Sequence, residues 1–448
     1  MIFHSIFCGG DFGRLFWYNL IMEKMIVKAQ AARRLRAGYP LLTAADFLTK
    51  IDFSEEKFLT ELSKKDFVQF FDEKKKFLGT GYLSKQNKGV GWLLSRENRA
   101  IDALFYAEKF AQAKALRQPF FADDKANAFR LFNGEGDGLG GLTVDFYAGF
   151  AVFSWYNEFI YAQSQEILIA FLEIFPEILG IYEKIRFDRV QTDSVAISSS
   201  CPRSLGAKAP SPFGNSVKNN GDHIWGEKAP EPLIVKENGV NYATYLDDGL
   251  MTGIFLDQKN VRATLVNGLA TEKRLLNMFS YTGAFSVAAA VGGASQTTSV
   301  DLAKRSLDKT REQFFVNGIA PESQKIYVMD VFSYFNYAKK KQLSYDIIVL
   351  DPPSFARNGK KTFSVAKNYG ELVEASVDIL AGNGILIAST NAANVSREKF
   401  RQSIEQALRK KQVKFDIFQE ENLPADFHVA REFPEGDYLK VLFIKIKK

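Results

Sequence analysis

Residues Leu275–Asp301 read LLNMFSYTGAFSVAAAVGGASQTTSVD, an apolar run, a glycine turn, an alanine-rich segment and a second apolar run ending in an acid. The first run is a strand, GAFSVAAAVGG a helix and TTSVD the next strand. The alternation continues through the helix AKRSLDKTREQFFVNG, the strands KIYVMD, YDIIVLD and GILIAST with helices between, and the closing KFDIFQ and YLKVLFIKI. Strands apolar on both faces that alternate with helices make a parallel, doubly wound α/β sheet.

In such a sheet ligands lie outside the carboxyl ends of the strands, at the switch point. Strand one leads to Gly283, strand two ends in Asp301, 18 residues later, strand three in Asp330 and strand four in Asp351. Gly283 lets backbone pass close to a ligand, an acid ending strand two can accept both ribose hydroxyls, and Asp330 is placed for an adenine amino group. Three acids at one edge suit a cationic ligand and repel a pyrophosphate. The first turn lacks G-x-G-x-x-G and no lysine-bearing phosphate loop occurs. A sulfonium cofactor carrying adenosine fits better than NAD.

Working outward, the 448 residues suffice for about three domains. The net charge is +6, and residues 25–100 carry 15 Lys and Arg against 9 Asp and Glu, so the whole excess is there. That basic stretch is either a solvated face or a nucleic-acid-contacting module. It reads as short strands, with a hairpin in DFVQFFDEKKKFLGTGYL turning around Asp72–Lys76. RAIDALFYAEKFAQAKALRQ is helical, with Ile101, Leu104, Phe105 and Ala111 on one face. In GEGDGLGGLTVDFY the glycines precede a strand, not a helix, and are read as a turn rather than a phosphate site. PLIVKENGVNYATYL is a hairpin about Asn238–Gly239.

The expected organisation is therefore a dispensable leader over 1–24, a β-rich module over 25–95 and a helical connection over 96–124. A middle α/β domain follows over 125–235, with a long loop at 191–232, and the doubly wound domain covers 236–448. Cys8 and Cys201 lie far apart, the histidines are His4, His223 and His428, and no zinc spacing or disulfide framework exists. No apolar run is long enough for a membrane span, which with the cysteine usage points to the cytoplasm.

LLNMFSYTGAFSVAAAVGGASQTTSVD, GIFLDQKNVR, VLDPPSF and REFPEGDYLKVL together resemble the large-subunit ribosomal RNA methyltransferases of the RlmI type. The resemblance runs from about Met25 to the end and is strongest over 250–448. It implies an S-adenosylmethionine-dependent enzyme with an N-terminal PUA domain, a small middle domain, a Rossmann-like C-terminal domain, a ribosomal RNA partner and a homodimer. Carried over by motif, Phe279, Ser280, Tyr281, Thr282 and Gly283 line the methionine part, Asp301 holds the ribose and Asp330 the adenine. Gln258 and Arg262 close over the cofactor, with Arg262 pairing its carboxylate. Asp351 lies beside the methyl group, Pro352 and Pro353 stiffen the turn, and Phe355 stacks on an extruded base. Arg357, Lys360 and Lys361 hold phosphates.

One motif departs from the resemblance. Cytosine carbon-5 members need a cysteine that adds to the ring first. The corresponding LIASTNAANV has Ser389, Thr390 and Asn391 and no thiol. The STN sequence looks like the Ser-Asn-Asn of the related guanine-N7 methyltransferase domain, where a nitrogen lone pair attacks directly and Asp351 and Asn391 would hold the base. The family as a whole favours cytosine, the missing thiol a guanine nitrogen. The alternative from another class is a ribosome-assembly protein that binds RNA and cofactor without turnover.

Overall fold

The computed structural model describes residues 22–49, 66–86, 88–187, 222–358 and 361–448. The leader up to residue 21, Cys8, Cys201, Lys360 and most of the long polar loop lie outside these residues.

The N-terminal sheet contains β1 (Glu23–Ile26), β2 (Leu41–Leu42), β3 (Val68–Phe71), β4 (Phe77–Gln86) and β5 (Gly89–Ser95), in the order β1-β3-β4-β5-β2. The expected hairpin joins β3 to β4. Its turn is held by the Asp72 carboxylate, which accepts the backbone N–H groups of Lys74 (2.9 Å) and Lys76 (2.8 Å). β1 pairs in parallel with β3 from Glu23↔Val68 onward, so Glu23 and Lys24, read from sequence as leader, belong to the sheet. A helix over Ala29–Arg36, which the strand reading overlooked, buries Ala31, Ala32 and Leu35 against it.

The middle sheet orders β6 (Ala128–Asn133), β7 (Leu142–Tyr147), β8 (Phe150–Trp155), β9 (Gly180–Ile185) and β10 (Asp222–Gly226) as β10-β9-β8-β7-β6. β8 and β9 are parallel, and the helices Glu158–Ala162 and Ser164–Ile174 make the crossover. The glycine-rich segment forms a 3₁₀ turn over Gly134–Asp137 and runs into β7. Gly136 is there for packing: a Cβ on it would stand 1.8 Å from His428 O. The helix Ala103–Leu116, capped by Asp102 accepting from Phe105 N at 3.1 Å, buries Phe105, Tyr106, Phe110 and Ala113. The expected face is thus partly wrong, since Leu104 and Ala111 face solvent. Ile101 and Phe105 of that face do reach the core, joined there by the neighbouring rings of Tyr106 and Phe110.

β11 (Leu233–Glu237) and β12 (Val240–Thr244) form the second expected hairpin, with Asn238 (φ 53°) and Gly239 (φ 78°) both left-handed.

The C-terminal sheet contains β13 (Arg274–Met278), β14 (Gln296–Asp301), β15 (Lys325–Val328) and β16 (Tyr345–Leu350). A short hairpin of β17 (Phe355–Asn358) and β18 (Lys361–Ser364) interrupts it before β19 (Leu380–Thr390), β20 (Lys414–Glu421) and β21 (Lys440–Lys447). The order is β15-β14-β13-β16-β19-β21-β20. The first five strands are mutually parallel, and β21 enters antiparallel between β19 and β20. The chain reverses direction between β15 and β16, which makes the carboxyl ends of β13 and β16 the switch point.

The domains share apolar cores. Leu41, Tyr82 and Trp92 of the N-terminal sheet pack in one cluster with Phe132 and Phe159 of the middle domain and Phe433 of the last. Tyr82 stacks on Trp92 and on Phe159 at centroid distances of 5.1 and 4.7 Å.

Candidate active site

At the carboxyl end of β13 the chain makes a tight loop in which Phe279 (φ 58°), Tyr281 (φ 52°) and Gly283 (φ 83°) are left-handed. Two non-glycine residues in that region cost about 1–3 kcal/mol each and persist only where neighbours hold them. The holding contacts are visible. Ser280 N donates to Val300 O at 3.0 Å, Gly283 N to Ser280 O at 2.7 Å, and Thr282 Oγ1 to Gly253 O at 2.6 Å. Tyr281 N donates to Asp301 Oδ2 at 2.9 Å, while Asp301 Oδ1 accepts from Ala303 N at 2.8 Å. Gly283 opens the helix Ala284–Val291, and a Cβ there would lie 2.6 Å from Thr310 Cγ2.

Asp301 thus orders the loop with one lone pair of each oxygen, out of the about four acceptor sites of an ionised carboxylate. Asp330 caps the helix Val331–Lys340, accepting from Ser333 N at 3.0 Å.

Asp351 follows β16. Gln258 Nε2 donates to Asp351 Oδ1 at 3.1 Å and to Ser389 Oγ at 2.7 Å, joining the ends of β16 and β19. Tyr369 Oη donates to both Leu350 O (3.2 Å) and Ser389 O (3.0 Å), closing the same corner from below. Loss of hydration raises the Asp351 carboxyl to about 7, the Asp257 charge adds to the rise, and the Ser389 and Gln258 hydrogen bonds oppose it. Gln258 is buried and its Oε1 has no hydrogen-bond partner in the structure.

Beyond the carboxylate, Pro352 is buried, Pro353 and Ser354 are exposed, and Phe355 is 63% exposed at the start of β17. Ser354 Oγ donates to Asn391 Oδ1 at 3.0 Å, so the proline turn and the end of β19 stand side by side. Arg357 and Lys361 lie on the two strands of the β17–β18 hairpin.

Arg262 requires a correction. It is 1% exposed, and its Nε and Nη2 donate to Glu237 Oε1 and Oε2 at 2.7 and 2.8 Å, with Nη2 also 2.8 Å from Phe255 O. A guanidinium committed to the β11–β12 hairpin in this way is not offered to a cofactor carboxylate.

Sequence reasoning also missed Asp257. It is buried, held above its ordinary pKa by burial, and accepts from Tyr438 Oη at 3.0 Å. This bond joins GIFLDQKNVR to REFPEGDYLKVL, two motifs without a mutual role in the sequence. Tyr281, Asp257 and Asn391 all border a cleft of about 450 Å³ whose opposite wall is the middle sheet. No cysteine occurs among the described residues, and among them no His, Cys, Asp and Glu cluster could hold a metal. No described helix is long and apolar enough to cross a membrane.

The donor set fits S-adenosylmethionine: half-buried carboxylates at successive strand ends, a tight backbone loop and a partly desolvated acid beside them. Residues 217–430 match the S-adenosylmethionine-dependent methyltransferase family and residues 25–96 a PUA-like domain. The chain is 41% identical over 427 residues to YwbD of Bacillus subtilis, a candidate ribosomal RNA large subunit methyltransferase, covering 95% of this chain and all of that one. It is 31% identical over 336 residues to a ribosomal RNA large subunit methyltransferase of Deinococcus radiodurans, covering 75% and 76% of the two chains. A crystal structure of SMU.776, a candidate methyltransferase complexed with SAH, is 42% identical and superposes with a TM-score of 0.83 over 95% of this chain and all of that one. The protein is a member of the S-adenosylmethionine-dependent ribosomal RNA large subunit methyltransferase family.

Proposed function

We propose that the protein methylates a nitrogen of a guanine base in large-subunit ribosomal RNA. What supports this reading is the stretch Ser389, Thr390 and Asn391 at and just after the end of β19, which carries no thiol where the resemblance to the carbon-5 enzymes calls for one. The Ser389 hydroxyl accepts from Gln258 and hydrogen-bonds Asp351, and even beside a carboxylate a serine hydroxyl is a far weaker nucleophile than a thiolate. Bound S-adenosylmethionine supplies a methyl group activated by its sulfonium charge. A nitrogen with a free lone pair forms the new N–C bond as the C–S bond breaks, so the protein needs only to position and to stabilise charge.

In this reading Phe279–Gly283 receive the methionine part, Asp301 the ribose and Asp330 the adenine. Asp351 faces the transfer point, Pro352 and Pro353 fix its turn, Asn391 orients the base and Phe355 stacks on it. Arg357, Lys360 and Lys361 meet neighbouring phosphates. Gln258 positions Asp351 rather than touching the cofactor.

Nucleoside mass spectrometry of large-subunit rRNA from cells with and without the protein tests the assignment. Loss of a methylguanosine supports it. Loss of 5-methylcytidine sinks it.

A further inference from the structure

The cleft beside Tyr281 and Asn391 has a second feature, on the middle sheet. Lys184 in β9 and Arg186 just after it sit two residues apart and both line the cleft. Lys184 is fully buried, yet its Nζ donates to a backbone carbonyl, Gly249 O, rather than to a carboxylate. Arg186 Nη2 likewise donates to Leu250 O at 2.7 Å, and its buried Nε has no hydrogen-bond partner. Burial, and after it the like charge of Arg186, lowers Lys184 to about 8, against weaker support from Asp247, Asp248 and Asp222. The other cations of the cleft differ: Arg130 is paired with Asp145 at 2.6 Å, Lys88 with Glu135 at 3.5 Å, and His428 lies 3.3 Å from Asp137. Among the described residues neither the buried Lys184 nor the partly buried Arg186 touches a carboxylate, an electrostatic deficit that an anion from outside the chain would fill.

We infer that Lys184 and Arg186 receive a backbone phosphate of the RNA strand that carries the target base. This rests on the RNA-methylating reading above and adds the middle domain to the substrate site. The two cations also hold the carbonyls of Gly249 and Leu250, at the start of the stretch 249–255. That stretch continues to Thr252, 2.9 Å from Tyr147 Oη, to Gly253, the acceptor of Thr282, and to Phe255, whose ring lies 5.4 Å from Tyr281. The phosphate site and the left-handed loop after β13 are therefore built on one segment.

The test compares the full chain with its Arg186→Gln, Arg186→Lys and Lys184→Gln variants on rRNA from cells lacking the protein, across a salt series. Arg186 is only partly buried, so its substitution spares the core. Arg186→Gln should raise KM for rRNA by about tenfold and reduce the slope of log K against log salt by about one. Affinity for S-adenosylhomocysteine should stay unchanged, binding to unrelated RNA of equal length should fall equally, and Arg186→Lys should recover most of the slope. Lys184→Gln should act in the same direction. An unchanged KM and salt slope in Arg186→Gln overturns the inference, as does a joint loss of kcat and cofactor affinity at constant KM. A wild-type chain that neither binds nor methylates this rRNA instead overturns the reading on which the inference rests.

Discussion

Gln258 reaches across 93 residues of sequence to donate to Asp351 at 3.1 Å, and the same amide nitrogen lies 2.7 Å from Ser389 Oγ. One buried side chain therefore fixes the distance between the proline turn and the end of β19, the two elements that flank the acceptor base in the proposed reaction.

Asp351 should impose a pH dependence. Its carboxyl is raised to about 7 in the fold against an ordinary 3.8. The folded protein therefore binds this proton more tightly than the unfolded chain. The resulting stability is fully present below about pH 4 and is lost as pH rises through about 7. Chemical denaturation at pH 5 and pH 8 should show a smaller difference in Asp351→Asn than in wild type. In catalysis kcat/KM should rise with pH through about 7 and the kcat profile should turn at lower pH, because a bound sulfonium favours the carboxylate. An unaltered profile in Asp351→Asn would remove the group from the reaction.

Asp301→Ala should weaken S-adenosylhomocysteine binding by about 10- to 150-fold, the size expected for losing charge-assisted hydrogen bonds of about 1.5–3 kcal/mol. The N–H groups of Tyr281 and Ala303 lose their acceptor at the same time. Calorimetry reads the affinity, and an unchanged value takes Asp301 out of the site.

Phe355→Ala should leave cofactor binding intact and reduce transfer to rRNA. Base stacking is worth about 1–3 kcal/mol, or roughly 5- to 150-fold. The ring is 63% exposed, so its removal leaves the core alone. Equal losses of cofactor affinity and transfer would contradict a stacking role.

Arg262→Met should destabilise the fold by about 3–5 kcal/mol, because it leaves Glu237 buried without its partner. Urea denaturation measures this, and Arg262→Met/Glu237→Leu should recover part of the loss. A stable single variant with impaired cofactor binding would restore the ligand role that the geometry denies it.

The doubly wound sheet and its strand-end acids were legible because both are local. Apolar runs announce β13, β14, β16 and β19, and the residue after each run must stand at the sheet edge. Long-range pairing was not legible. Nothing in the spacing of GIFLDQKNVR says that Arg262 faces Glu237, 25 residues earlier in the β11–β12 hairpin, or that Asp257 meets Tyr438. The insertion of β21 between β19 and β20 is equally invisible to periodicity, since each strand reads alike in either order. In the helix Ala103–Leu116 the aliphatic pattern pointed to Leu104, but the large aromatic rings of Phe105, Tyr106 and Phe110 bury more apolar surface and set the face. Lys184 and Arg186 drew no notice, because two cations in a strand read as an exposed edge until their burial is known.

The cluster that unites Leu41, Tyr82 and Trp92 with Phe132, Phe159 and Phe433 has a metrical consequence. A module joined by a tether could search for its ligand independently, but one that shares its hydrophobic core with the next sheet has no room to swing. Whatever the N-terminal module grips is held at a fixed span from Asp351. That span is set by packed side chains, not by the length of a linker.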